Sequence, residues 1–232
     1  MDKKQKLIYG MFSRLTEKYD LFNRIASFGL DSYWRRRALK FVKCNDDVLD
    51  VGTGTGEFLL ELVKRINHKG ELTGIDFCES MLEKALKKSK KAKVDGRINF
   101  KLAKAEELPF SENSFNVVLS GFVMRNVVDN IEMVLREMYR VLKQNGRVII
   151  LELYRPRYGW LREIYHFYLK GIVSVEGKLI FKEEWLSNYL ENSIKNFFTP
   201  DDFLKLIAKT KFRDVQYIPL HSGIVGIHTG IK

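Results

Sequence analysis

The stretch VLDVGTGTGEF, residues 48–58, sets three glycines at alternate positions behind a short apolar run that carries Asp50. A glycine turn between a strand and a helix lets the backbone close on an adenosine cofactor. The dinucleotide fingerprint G-x-G-x-x-G requires its third glycine where this chain has Glu57, and a carboxylate in the first helical turn repels a diphosphate. Gly52, Gly54 and Gly56 therefore favour a donor without phosphate, S-adenosylmethionine, whose sulfonium and ammonium tolerate acidic neighbours. Asp76, twenty residues beyond Gly56, ends the next apolar run, where a carboxylate accepts both hydroxyls of a ribose. Asp50 either organises the loop backbone or reaches the donor's amino group. In the later segment KAEELPF, an adenine could lie against Ala105.

Positioning these residues requires strand ends. Short β-branched runs at 48–52, 71–76, 98–102, 115–121 and 147–153 alternate with helical periodicity, the pattern of a parallel sheet with crossover helices. Phe58, Leu59, Leu62, Val63 and Ile66 make one helical face; Met81, Leu82, Ala85 and Leu86 a second; Ile131, Val134, Leu135, Met138 and Leu142 a third. Asp129 and Glu132 have the spacing of a capping box. Thr199-Pro200 opens a further helix that turns Phe203, Leu204, Ile207 and Ala208 inward, and the runs 213–218 and 223–230 form an antiparallel hairpin. This α/β order resembles the seven-stranded, Rossmann-like class I methyltransferase sheet with helices on both faces. Residues 1–45 form an N-terminal helical cap and residues 154–198 a helical insertion after strand five, both over the ligand-binding edge of a single 232-residue domain.

Composition bounds the partners. Cys44 and Cys78 stand alone without CxxC spacing, which suggests neither a disulfide framework nor a thiolate metal site and suits a reducing, cytoplasmic setting. The charged N-terminus and short apolar runs predict a soluble or peripheral protein. A net charge of +11 suits nucleic acid, an anionic membrane or an acidic substrate. Nine Lys and Arg against one acid fall between Lys84 and Lys104, with no aromatic before Phe100, so this window reads as a solvated helix face rather than a strand-binding surface. His68 reads as exposed.

The phrases EKYDLFNRIASFGLDSYWRR, GIDFCESML, AEELPFSENSFNVV, RNVVDNIEMVLREMYRVLKQNGRVIILEL and GIVGIHTG, with the glycine turn, resemble the ubiquinone and menaquinone biosynthesis C-methyltransferases. The match runs from about residue 11 to the C-terminus. The resemblance implies methyl transfer from S-adenosylmethionine, leaving S-adenosylhomocysteine, to a ring carbon of a prenylated quinol precursor. By motif match Thr55, Asp76, Lys104 and Ala105 take donor-binding positions. The family usually has Asn at the place of Lys104 and often Ser at that of Gly121, the cofactor-side end of strand four.

Ring-carbon methylation needs a phenol made electron-rich by loss of its proton, hence a proton acceptor and a cation or donors for the oxyanion. Arg125 and Asn126, directly after strand four, are the candidates for the substrate oxygen; a guanidinium stays protonated, so Arg125 stabilises charge or positions a water. Tyr19, Asp20 and Asn23 are candidate pocket residues, Asp129 a base or a helix cap, and His166 or His228 a proton acceptor or a structural histidine. The aromatic run from Trp160 to Leu169 suits a lid or tunnel for a prenyl tail, a peripheral membrane contact, or packing against the core or a homodimer partner. No metal-ligand cluster is visible and the displacement needs none. A nucleic-acid methyltransferase would carry an Asn/Asp-Pro-Pro-aromatic motif after strand four, where this chain reads SGFVMRN. The alternatives are an enzyme acting on another small molecule or on RNA, and a non-catalytic donor-binding protein.

Overall fold

The computed structural model describes residues 3–66, 68–156, 159–168, 170–171 and 185–232. Its sheet has seven strands: β1 (Val48–Val51), β2 (Leu72–Asp76), β3 (Ile98–Leu102), β4 (Phe115–Gly121), β5 (Leu142–Leu153), β6 (Arg213–Leu220) and β7 (Val225–Ile231). The order is β3-β2-β1-β4-β5-β7-β6; β7 alone runs antiparallel, pairing with β5 and β6. β1 and β2 are buried at every residue, as strands covered on both faces must be, whereas edge strand β3 is mostly exposed.

Period-two alternation splits the core. Leu49, Val118 and Ile150 point to the face covered by α6 (Ile131–Val141) and α9 (Pro200–Lys209), while Val48, Val117 and Ile149 point to the face packed by α3 (Leu30–Leu39) and α4 (Glu57–Ile66). The predicted helical faces are present, apart from Ile66, whose side chain lies outside the described residues, with three corrections. Leu86, on α5 (Glu79–Lys91), is exposed, because the buried stripe of that helix stops at Ala85 and Ser89. Leu142 is the first residue of β5. Ala208 is exposed, and Leu206 packs on the core beside Phe203 and Ile207. Thr199 caps α9 as expected, its Oγ1 accepting from the Asp202 N–H at 3.2 Å. α6 is capped differently: Asn130 takes the N-cap position without a side-chain cap bond, and Asp129 lies in the preceding 3-10 turn.

A third cluster lies above the carboxyl ends of the strands. α1 (Lys3–Leu15) and α2 (Tyr19–Ala26) contribute Ile8, Met11, Leu15 and Phe22, which bury against Ile194 of α8 (Trp185–Lys195). Tyr165 and Tyr168 of α7 (Gly159–Tyr168) and Tyr189 and Leu190 of α8 complete it. The N-terminal helices and the insertion thus pack on each other over the edge where β1 and β4 diverge to opposite sides of the topology, the place where open α/β sheets bind ligands. Among the described residues no helix is long and apolar enough to cross a membrane.

Candidate active site

The glycine turn is shaped by left-handed backbone. Gly52 has φ of 72°, and a Cβ there would lie 2.4 Å from Val123 Cγ2, so only glycine fits. Gly54, also at positive φ, has open space beside it and faces a cleft that Asp76, Ala103, Lys104, Ala105, Gly121 and Asn126 also line. Gly121 leaves no room for a side chain unless Phe58 moves, since a Cβ there would meet the Phe58 ring at 2.4 Å. Three donor-binding candidates stand outside the cleft lining: Gly56 packs towards Phe100 and Ala85, Thr55 turns its hydroxyl to Asp20 Oδ1, 2.5 Å away, and Asp50 lies beneath the turn.

Two acids lie under the turn. Asp76 accepts the Gly54 N–H on Oδ2 (2.8 Å) and the Cys78 N–H on Oδ1 (2.9 Å), which leaves each oxygen further acceptor capacity. Burial pushes its pKa up to about 6. Asp50 accepts the Thr53 hydroxyl on Oδ2 at 2.8 Å, and its buried Oδ1 has no partner. Burial raises its pKa to about 7, with the charge of Asp76 adding to the effect.

An ion cluster fastens the helical cap to this turn. Lys88 of α5 donates to Asp20 Oδ2 (2.9 Å) and to the Glu57 carboxylate, while Lys84 donates to the Thr16 and Glu17 carbonyls at 2.6 Å each. Burial presses the pKa of Asp20 upward, yet Lys88 and the Thr55 hydroxyl outweigh it and hold the carboxyl below its usual range. Two lysines of the basic window therefore face the cap, correcting the expectation of a wholly solvated face.

Beyond the turn after β4 lies a second, largely apolar cavity of about 400 Å³, with Phe12, Tyr19 and Phe122 lining both spaces. Phe122 sits at φ of 63°, strained for a residue with a Cβ, and its carbonyl accepts from Arg125 Nη1 at 2.7 Å. Arg125 Nη1 also donates to Glu152 Oε1 at 2.6 Å, the Arg125 side chain being 9% exposed and that of Glu152 0%. Burial depresses the Arg125 pKa, but the charge of Glu152 and its hydrogen bond lead the effects that more than reverse this. Arg125 Nε is buried without a partner. Asn126, in the cleft, accepts a hydrogen bond from the Tyr189 hydroxyl on Oδ1 at 2.8 Å. Burial pushes Tyr189 up to about 12 and raises Tyr19 and Tyr165 as well, so all three phenols stay neutral at physiological pH.

Of the remaining candidates, Asn23 lines the cavity, and Asp129 lines the cleft instead of capping α6. His228 is fully buried between the Tyr154 hydroxyl and the Pro200 carbonyl, each 3.0 Å away, and burial lowers its pKa to about 4. His166 is paired with Glu191 on the surface. His68, expected outside, is buried, with its Nε2 2.7 Å from the Asp46 carbonyl. Leu161, Ile164, Tyr165 and Tyr168 of the aromatic run line the cavity, while Leu169 lies outside the described residues. Sequence reading missed the role of Glu152, whose one signal is an acid inside the apolar run RVIILEL, and of Tyr189, whose one signal is that it opens YLENSI, a phrase characteristic of the family this chain resembles.

The fold is shared with methyltransferases of low sequence identity. A SAM-dependent methyltransferase of Thermotoga maritima matches 97% of this chain and 99% of its own with a TM-score of 0.63 at 22% identity. An S-adenosyl-L-methionine-dependent methyltransferase of Methanococcus maripaludis matches 98% and 94% with 0.63 at 20%. Curated relatives are much more similar: the ubiquinone/menaquinone biosynthesis C-methyltransferase UbiE of Geotalea daltonii is 39% identical over 100% of this chain and 99% of its own length. The UbiE of Rickettsia prowazekii is 39% identical over 99% and 94%. The model of the ubiE/COQ5 methyltransferase family matches residues 1–232, and the chain belongs to that family.

Proposed function

We propose that this protein is a quinone-biosynthesis C-methyltransferase that methylates a ring carbon of a prenylated quinol precursor, with the donor in the glycine-lined cleft and the acceptor in the apolar cavity. The observation that carries this reading is the junction of the two spaces at Phe12, Tyr19 and Phe122, with Asn126 on the cleft side and Arg125 on the cavity side. The residues present fit S-adenosylmethionine: Gly54 has open space beside it, Asp76 retains acceptor capacity for ribose hydroxyls, and the buried Asp50 Oδ1 lacks a partner. Gly52, Gly54, Asp76, Lys104, Ala105 and Gly121 would hold it directly, with Asp50, Thr55 and Gly56 shaping the turn behind. When bound, it supplies an electrophilic methyl on a sulfonium.

Arg125 faces the acceptor's oxygen, and its charge favours the phenolate that makes the adjacent carbon nucleophilic. Glu152 orients that guanidinium from behind. Tyr189 holds Asn126 by its amide oxygen and leaves the amide N–H groups for the reacting edge. The apolar walls exclude water and accept a prenyl tail. Around the mouth, Leu21 and Ile25 on α2, Phe28 in the turn that follows it, and Trp160, Ile164 and Phe167 at the spacing i, i+4, i+7 on α7 are all exposed, Phe167 by 78%. The Phe28 and Tyr168 rings meet at a tilt with centroids 5.6 Å apart, so the two exposed apolar patches adjoin. This is the surface we assign to peripheral contact with the membrane that holds the acceptor.

Incubation with labelled methyl donor tests the reading: label enters demethylmenaquinol and not an RNA pool, and label in RNA alone would refute it. Asp76→Ala abolishes donor binding measured by calorimetry. Arg125→Ala retains binding and lowers turnover by roughly 10²–10³-fold, the cost of losing an oxyanion partner; equal loss of binding in both variants contradicts the division of roles.

A further inference from the structure

The acceptor cavity contains a second buried ion pair that the chemistry above leaves unused. On α3, Arg35 Nη1 donates to Asp31 Oδ2 at 2.5 Å, the Ser27 hydroxyl donates to Asp31 Oδ1 at 3.2 Å, and the side chains of Arg35 and Asp31 are 9% and 10% exposed. A buried ion pair stabilises a fold less than apolar residues of the same volume, so it needs another reason to be there. Both residues line the cavity that Arg125 also lines. Asp31 engages one nitrogen of Arg35, and a guanidinium has five N–H donors in a fixed fork.

Two guanidiniums facing one apolar cavity, each held by a carboxylate, exceed what a single phenol oxygen requires. A quinol carries oxygens at opposite ends of its ring. We propose that Arg35 is a specificity-determining residue that binds the far oxygen of a 1,4-dioxygenated ring, while Arg125 binds the oxygen beside the carbon that is methylated. Arg125 takes the near oxygen because its neighbour Asn126 lines the donor cleft. The assignment rests on the quinol reading of the cavity, and it adds the residue by which a quinol is told from a monophenol.

The test uses the full chain, labelled methyl donor and two acceptors: a short-chain prenylated 1,4-naphthoquinol without the ring methyl, and the analogue lacking only the far hydroxyl. Asp31→Asn combined with Arg35→Met removes both charges and strands neither; Arg35→Lys keeps the charge and loses the fork. Donor affinity by calorimetry reports folding in each case. The expected result is that the double variant loses kcat/KM for the quinol by on the order of 10- to 100-fold, the worth of a hydrogen bond to a charged group, and changes little on the one-oxygen analogue. Arg35→Lys falls in between. The intrinsic reactivities of the two rings cancel when variant and wild type are compared. An equal fall on both acceptors with donor affinity intact makes the pair structural and overturns the proposal, as does an unchanged preference in Arg35→Lys. Wild-type protein that labels neither acceptor refutes the quinol reading itself, and the Arg35 assignment with it.

Discussion

Asp50 and Asp76 are carboxylates buried beneath the donor turn, and their folded-state pKa values of about 7 and about 6 lie above the ordinary 3.8. A raised folded-state pKa means that the native state holds the proton more tightly than the unfolded chain. Its stability contribution is then greatest below the unfolded pKa and is lost as pH rises through the folded one. We therefore expect Asp50→Asn, which keeps an acceptor for the Thr53 hydroxyl, to melt at a higher temperature than wild type at pH 8 and at the same temperature near pH 4. A difference that does not grow between those pH values would contradict the burial of an ionised Asp50. Both acids were legible as chemistry in the sequence, because a carboxylate at the end of an apolar run is conspicuous. Glu152 was equally visible as a letter but not as a role, since its partner Arg125 lies on a different element and only the parallel pairing of β4 with β5 brings them together.

At the scale of elements, the donor turn is held from above by α2 and from the side by α5. Asp20 joins them, accepting from Thr55 and Lys88 together. Its side chain is 30% exposed, so solvent screening reduces what the contact contributes. Asp20→Ala should weaken donor binding by a few-fold up to about tenfold, with little change in melting temperature. Calorimetry at low and high salt measures this, and an affinity equal to wild type would mean that the cap does not hold the turn. The strands and most helices were legible from periodicity, because parallel strands buried on both faces leave continuous apolar runs. Helix ends were less so: Asp129 and Glu132 have capping-box spacing, yet the 3-10 turn at Val128–Asn130 shifts the start of α6 by one residue. His68 was misread for the same kind of reason, as its burial is made by the Asp46 carbonyl and by Arg97, which donates to its own carbonyl from a separate segment.

For the whole molecule, the membrane contact proposed above would use the net charge of +11 together with the adjoining exposed apolar residues of α2, the turn after it and α7. Exposed Lys18, Arg24 and Lys170 lie on or beside these patches, and charge near an anionic surface contributes about 1 kcal/mol per basic residue. We expect sedimentation with vesicles containing anionic lipid, loss of that binding in high salt, and a marked reduction in Phe28→Ser/Phe167→Ser. Equal binding to neutral and anionic vesicles would contradict the electrostatic part, and an unaffected double variant the apolar part.

The amino-acid sequence alone determined the parallel sheet, the phosphate-free character of the glycine turn and the family, because each rests on residues close together in the chain or on their periodicity. Tertiary structure decided which groups share a space. Glu152 behind Arg125, Tyr189 on Asn126, Asp20 on Thr55 and the Asp31–Arg35 pair in the acceptor cavity are packing consequences. Three of these four pairs join different elements, and the fourth, one helical turn, acquires meaning only from the cavity into which the fold places it.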